Sequence, residues 1–274
     1  MRKLFFLTII LSSLLFKAQT NRFYYELKYR KDSTETYRSS IMILDVNPKT
    51  IKFYDKDLLD YDSINKNNAG GFISRTNTKT DQLIIRKPNT YNNSWYRDFF
   101  EYFIINSTDE MKWRLYPITK NYNGYILQKA TTIFGGRKWT AWFSKEIEIS
   151  EGPYKFRGLP GLIFILTDDN NDFSYSLIKN KKLKITYETE NFLENHYDKK
   201  PIKITTENFN KYIIDLYDNP LRNILESMKN GNKVSLKDRE IQSIEELNQK
   251  KKMMQKMIKD RYIFIEKDTA PIFK

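Results

Sequence analysis

Hydrophobic and polar positions alternate at period two along most of this chain as far as Tyr187, and a helical period takes over from Thr206. In residues 22–30, Phe23, Tyr25, Leu27 and Tyr29 fall on one side, the pattern of a half-buried strand. Residues 38–46 set Ile41 and Ile43 against Met42 and Leu44, and the turn Asn47-Pro48-Lys49 leads into a third strand at 50–54. Short strands joined by tight turns predict a meander. Residues 57–69 are largely polar and read as an exposed loop or a short helix. Gly70-Gly71 then resets the chain, and 72–75 with 82–87 read as a hairpin.

The aromatic stretch 89–110 fits a helical stripe or two strands through Trp95, Phe99, Phe100, Phe103 and Ile104, and its neighbours favour strands. Residues 112–118 form a strand that Pro117 confines to an edge or an end. Residues 125–134 and 138–143 flank Gly135-Gly136, a two-residue loop whose positive φ glycine tolerates. Trp139 and Ala141 face one way on the return strand, and Thr140 and Trp142 the other. A turn at 168–172 separates the strand at 162–166 from strands at 173–178 and 182–187.

Three helices follow. The first runs from Thr206 to Tyr217 and is broken by Asn219-Pro220; the second, 221–229, stops at Asn230-Gly231. Ser235 and Asp238 cap a third, carrying Ile241, Ile244, Leu247, Met253, Met254, Met257 and Ile258 at helical spacing. Its acids come early and its lysines late, as the helix dipole favours. Residues 261–266 read as a closing strand.

Composition changes this picture mainly at the N-terminus. Arg2 and Lys3 precede an apolar run from Leu4 to Phe16, and Ala18 is a small residue suited to cleavage. Residues 1–20 are thus expected to be a signal peptide, leaving 21–274 as a single β-rich domain with a helical segment around 206–259. The protein is expected to be exported, to the periplasm or outside the cell, with no transmembrane span after cleavage. There is no cysteine, so neither a lipid-bearing thiol nor a disulfide is available and a packed core must supply stability. Removing Arg2, Lys3 and Lys17 lowers the formal charge from +13 to +10. The lysines are scattered and no basic helix with reading side chains stands out, so no nucleic-acid partner is expected.

Candidate chemistry is sparse. The single histidine, His196, lies in a polar stretch and reads as a surface residue. It has neither a nucleophile elbow nor companion ligands for zinc. Asp168, Asn170 and Asp172 open like a calcium loop, but Phe173 and Lys179 stand where a glycine and a bidentate acid belong, so a hairpin turn accounts for them. Ser63/Lys66 and Ser176/Lys179 match a serine–lysine spacing by letter only. Glu146 and Glu148 alternate with Ile147 and Ile149, acids out and isoleucines in. No catalytic residue, metal ligand or cofactor motif is assigned, and the binding residues stay unknown.

The most specific feature is the glycine–proline segment. Lys129-Ala130, Phe134, Gly136-Arg137, Thr140-Ala141-Trp142-Phe143 and Glu146-Ile147 lead to Gly152-Pro153-Tyr154-Lys155-Phe156 and Gly158-Leu159-Pro160-Gly161-Leu162-Ile163. This pattern resembles the GLPGLI family of exported Bacteroidetes proteins. The resemblance implies an envelope protein of unknown function, with no catalytic residues to carry over. Physically, Pro153 and Pro160 fix φ, Gly152, Gly158 and Gly161 permit conformations closed to other residues, and Leu159, Leu162 and Ile163 supply apolar anchors. The segment is expected to be a rigid crossover launching a central strand; close approach of a ligand to glycine backbone is the functional alternative.

The expected fold is mainly β (α+β): a curved antiparallel sheet, barrel or half-barrel, with two or three C-terminal helices. The expected function is a non-enzymatic binding or carrier module for a hydrophobic ligand or an outer-membrane protein. The alternatives are a hydrolase using carboxylates from separate loops and a structural accessory of an outer-membrane complex.

Overall fold

Two meanders account for nearly all of the sheet, and one long-range strand pair joins them. The first meander runs through β1 (Thr20–Tyr29), β2 (Arg38–Val46), β3 (Ile51–Asp55), β4 (Leu83–Arg86), β5 (Asn92–Phe99) and β6 (Glu101–Thr108). The second runs through β7 (Arg114–Tyr122), β8 (Tyr125–Phe134), β9 (Arg137–Ser144), β10 (Leu162–Asp168) and β11 (Phe173–Leu183). Pairing of β1 with β11 fuses them, and β12 (Ile202–Lys203) extends β6 at the far edge. The result is one open 12-stranded sheet whose edges are β12 and β7. All its pairs are antiparallel except β12 with β6, so the sheet is mixed. These details come from a computed structural model, which describes residues 19–67, 79–197, 199–222, 225–226, 235–236, 239–240 and 244–273.

Local chemistry explains the strand ends. Gly135 and Gly136 adopt φ of 62° and 68°, the paired positive values of a two-residue hairpin turn. The 89–110 stretch is two strands, reversed at Phe100 with φ of 63°. Pro117 sits in edge strand β7 where the register with β8 shifts between Leu115 and Thr119, a place where a missing N–H breaks no regular ladder.

The polar stretch after β3 is α1 (Lys56–Asn67), with the Asp55 carboxylate accepting from the Asp57 N–H at 3.0 Å. Further on come α2 (Thr206–Asp218), capped by Thr205, and α3 (Ile244–Lys259).

Three expectations need correction. Residues 261–266 are not a strand: they cross the sheet with isolated bonds, Ile263 N–H to Lys79 O at 2.8 Å and Lys267 N–H to Gly135 O at 2.8 Å. The last helix starts at Ile244, and Ser235–Leu236 (β13) pairs instead with Arg239–Glu240 (β14). Strand β11 is continuous to Leu183, because its pairing with β1 runs as far as Thr20, and residues 184–187 lie outside any strand. Expectations for the signal peptide, for 72–75 and for 227–229 fall outside the described residues.

The faces of the sheet differ in what covers them. On the inner face Tyr25, Leu27, Met42, Leu44, Phe53, Ile84, Trp95, Phe99, Phe103, Trp139 and Tyr175 are buried. The β9–β10 crossover, Phe209 and Ile213 of α2, and Ile258 to Ile265 close over them. On the outer face a smaller core of Ile43, Tyr54, Leu83, Phe192 and Leu193 lies under α1 and a π-helical turn, Glu190–Glu194. On the outer face of β7–β11, Ile133 and Lys138 are exposed and Thr131, Thr140, Thr167 and Ser174 are half-buried. No described helix is long and apolar enough to cross a membrane.

Candidate functional site

The glycine–proline segment lies against the inner face, and each of its residues has a definite place. Gly152 packs so tightly on Ile163 that a Cβ would come within 2.6 Å of that side chain. Pro153 is buried, Leu159 is buried, and Pro160 faces solvent. Gly161, at φ +144°, lies directly against the Ser144 carbonyl, so no side chain fits there. Gly158, at φ +96°, is exposed beside the Tyr91 hydroxyl. Leu162 and Ile163 are fully buried at the start of β10, and the Tyr25 hydroxyl donates to the Ile163 carbonyl at 2.6 Å. Between the prolines, Phe156 inserts among Trp139, Phe134 and Trp113, with ring centroids 4.7, 5.4 and 6.3 Å away. The concavity is therefore filled by the protein's own side chains.

Buried charge surrounds that plug. Glu151 accepts from Arg86 and Arg157, the latter at 3.2 Å, and Arg86 also donates to the Tyr154 carbonyl at 2.9 Å. Lys155 lies 2.7 Å from Glu266 and 3.3 Å from Asp109, and Glu266 accepts the Tyr154 hydroxyl at 2.5 Å. Arg137 joins Asp168 at 2.7 Å, Asp172 at 3.1 Å and the Ile265 carbonyl at 2.8 Å. The 168–172 turn is thus a hairpin whose acids are taken by an arginine. These groups bind one another, an arrangement that fixes the crossover and the C-terminal segment onto the sheet.

One small cleft gathers titratable groups. Asp81, Gln82, Asp98, His196, Tyr96, Tyr102 and Tyr262 line a cavity of about 30 Å³. His196 is buried, not on the surface, because its ring packs 4.9 Å from that of Tyr102. Burial pushes the Asp81 carboxyl up while Arg97, donating at 2.5 Å, pulls it back. The cavity has room for one or two waters and no more. Ser63 and Lys66 do share α1, but Lys66 pairs with Asp62 at 2.6 Å and carries no serine relay. Among the described residues, no group of three or more His, Asp or Glu is arranged to hold a metal.

The outer face of β7–β11 presents different chemistry. Residues 114–144 contain five basic residues and no acid. Arg137 turns inward, while strand alternation puts Arg114, Lys120, Lys129 and Lys138 on the outer face. None of these four has a carboxylate within ion-pair distance among the described residues, whereas Arg22, Arg86, Arg97, Arg137 and Arg157 all do. The Lys120 ammonium lies 4.2 Å over Trp142, and burial lowers its pKa with no anion to offset it. Arg114 and Lys129 lie 5.2 and 5.6 Å from the Tyr116 ring. That phenol is held below its ordinary range by the hydrogen bond from Thr131, then by Arg114, Lys129 and Lys138. The signal for this face was present in the sequence: 31 residues without an acid, with cations at alternating strand positions.

Residues 126–165 match a family described as "Protein of unknown function (Porph_ging)", well under half of the chain. The matched segment comprises most of β8, all of β9, the crossover and the start of β10. No curated protein matches. Among solved structures the chain is similar to PNGF-II in crystals of space group P21, with 13% identity, a TM-score of 0.48, and coverage of 71% of this chain and 33% of that one. The C2 crystal form gives the same identity and TM-score, with 32% of that chain covered. This chain spans about a third of the length of that protein, and the likeness carries no functional inference.

Proposed function

We propose that this protein is an exported, non-enzymatic binding module that holds an anionic ligand on the outer face of β7–β11. One observation supports the reading most: among the described residues, four cations of β7–β9 share a sheet face and none has a carboxylate within ion-pair distance, while the interior arginines are neutralised. A half-buried ammonium over Trp142 gains from an incoming anion what solvent only partly supplies. The inner concavity is occupied by Tyr154, Phe156 and Leu159, which supports an outer-face site over an inner one. For the hydrolase alternative, the Asp81–Asp98–His196 cleft of about 30 Å³ holds water, not a substrate, and in the larger cleft lined by Glu148 and Glu151 the Glu151 carboxylate is already taken by Arg86 and Arg157. Export rests on the charged and apolar character of residues 1–20.

The test is retention on an immobilised polyanion, heparin, across a salt gradient. The variant Arg114→Gln/Lys120→Gln/Lys129→Gln/Lys138→Gln is compared with a charge-matched control at scattered exposed lysines outside β7–β11, Lys49→Gln/Lys87→Gln/Lys200→Gln/Lys251→Gln. The first should elute at much lower salt than the second, since clustered charge is screened as a unit. Equal shifts in the two variants would mean that net charge alone governs retention, and the site would be discarded.

A further inference from the structure

Resting on that anion-binding reading, we propose that the ligand is an acidic polysaccharide, lying across strands β8–β11 with its carboxylates toward the cations and its hydroxyls along a rail of Thr and Ser. The register builds the rail. Thr131 of β8 is opposite Thr140 of β9, Thr140 is opposite Thr167 of β10, and Thr167 is opposite Ser174 of β11. Four hydroxyls therefore stand at one level on adjacent strands, spanning about 14 Å at the usual strand spacing of ~4.8 Å. Thr167 and Ser174 already bond each other at 3.0 Å, which shows that hydroxyls on neighbouring strands come within reach of one group. Arg114, opposite Thr131, ends the rail on the edge strand.

A second row runs beside it: Lys129 opposite Trp142, Trp142 opposite Ile165, and Ile165 opposite Ser176. Here a cation adjoins an indole that could take the C–H face of a sugar. Beyond Ser176 comes Glu26, paired with Lys28 at 3.6 Å, and this carboxylate bounds the face for an anionic chain. An extended, repeating anion matches this lattice better than a compact one, because the cations are distributed over three strands. A membrane surface would call for a contiguous apolar patch, and the strongly exposed aliphatics on this face, Ile118 at 50%, Ile133 at 79% and Ile178 at 52%, lie on three different strands with Tyr116, Lys129, Thr131 and Ser176 between them.

The experiment measures binding of the full chain to polygalacturonate, to its methyl-esterified neutral form, to polyphosphate, to phosphatidylglycerol vesicles and to single-stranded DNA. Thr140→Val/Thr167→Val removes two rail hydroxyls at constant volume and strand propensity, and far-ultraviolet circular dichroism and a thermal melt verify its fold. The expected result is binding to polygalacturonate but not to the ester, with about a tenfold loss in the double variant and no change toward polyphosphate. If polyphosphate, vesicles or DNA bind as tightly as polygalacturonate, or if the double variant keeps full affinity for it, the polysaccharide assignment is overturned while the anionic face stands. If none of the polyanions binds, both readings fall.

Discussion

Replacing Gly161 by alanine is a direct test of why the crossover needs its glycines. Two penalties add at this position. A non-glycine residue at φ +144° is strained by ~1–3 kcal/mol, and the new Cβ would collide with the Ser144 carbonyl and lie 3.0 Å from the Lys145 Cα. Those are backbone atoms of the β9 end, so no flexible side chain can yield, and overpacking of this kind adds ~1–3 kcal/mol. Gly161→Ala should therefore destabilise by ~3–5 kcal/mol. Gly124→Ala supplies the control, because Gly124 also has positive φ, +85°, but nothing within 4 Å of a Cβ, so only strain of ~1–2 kcal/mol remains. Urea unfolding followed by tryptophan fluorescence reads both, since Trp139 and Trp142 lie on the strand that β10 pairs with. The two losses should differ by ~1–4 kcal/mol, which at ~2–4 °C per kcal/mol separates the melting temperatures by roughly 2–16 °C in a thermal melt. If the two variants lose the same stability, the close approach to Ser144 is not what the glycine provides, and the ligand-approach explanation of the motif regains its standing.

The buried charge makes further predictions. Glu151→Ala strands Arg86 and Arg157 without their shared carboxylate and should destabilise by ~3–5 kcal/mol in the same urea assay, whereas a loss under 1 kcal/mol would show that the pair is dispensable. Asp55 is displaced from 3.8 to about 7, first by burial and then by Asp57 and Asp60, against its bond from the Asp57 N–H. Its folded-state value is raised, so the folded state holds the proton more tightly and stability falls as pH climbs from about 4 through about 7. Asp55→Asn keeps the helix-capping acceptor and removes that charge, so it should gain up to ~4 kcal/mol over the parent at pH 8 and nothing at pH 4; a pH-independent difference refutes the assignment. Ile133→Ser, at a side chain 79% exposed, should change stability by less than ~0.5 kcal/mol, and a larger loss by thermal melt would mean that this face is covered.

Strand existence was legible in the chain because period-two alternation is a local property. Residues 38–46 and 125–134 coincide with β2 and β8, and the paired glycines at 135 and 136 marked their hairpin without any knowledge of the fold. The helical period after Thr206 and the burial of Leu162 and Ile163 were readable for the same reason. Several features depended on contacts between distant residues and were not. Pairing of β1 with β11 joins segments some 150 positions apart, which no local pattern encodes. The same pairing extends β11 beyond a polar stretch that reads as a break. Burial of His196 follows from its packing on Tyr102 of β6, and residues 261–266 remain unpaired because Arg137, Tyr154 and Lys155 hold them through side chains rather than a ladder. The four outer cations were visible as residues, but only the register of β7, β8 and β9 set them on one face. Local periodicity thus fixed the elements and their buried sides, while long-range pairing decided which surfaces would meet.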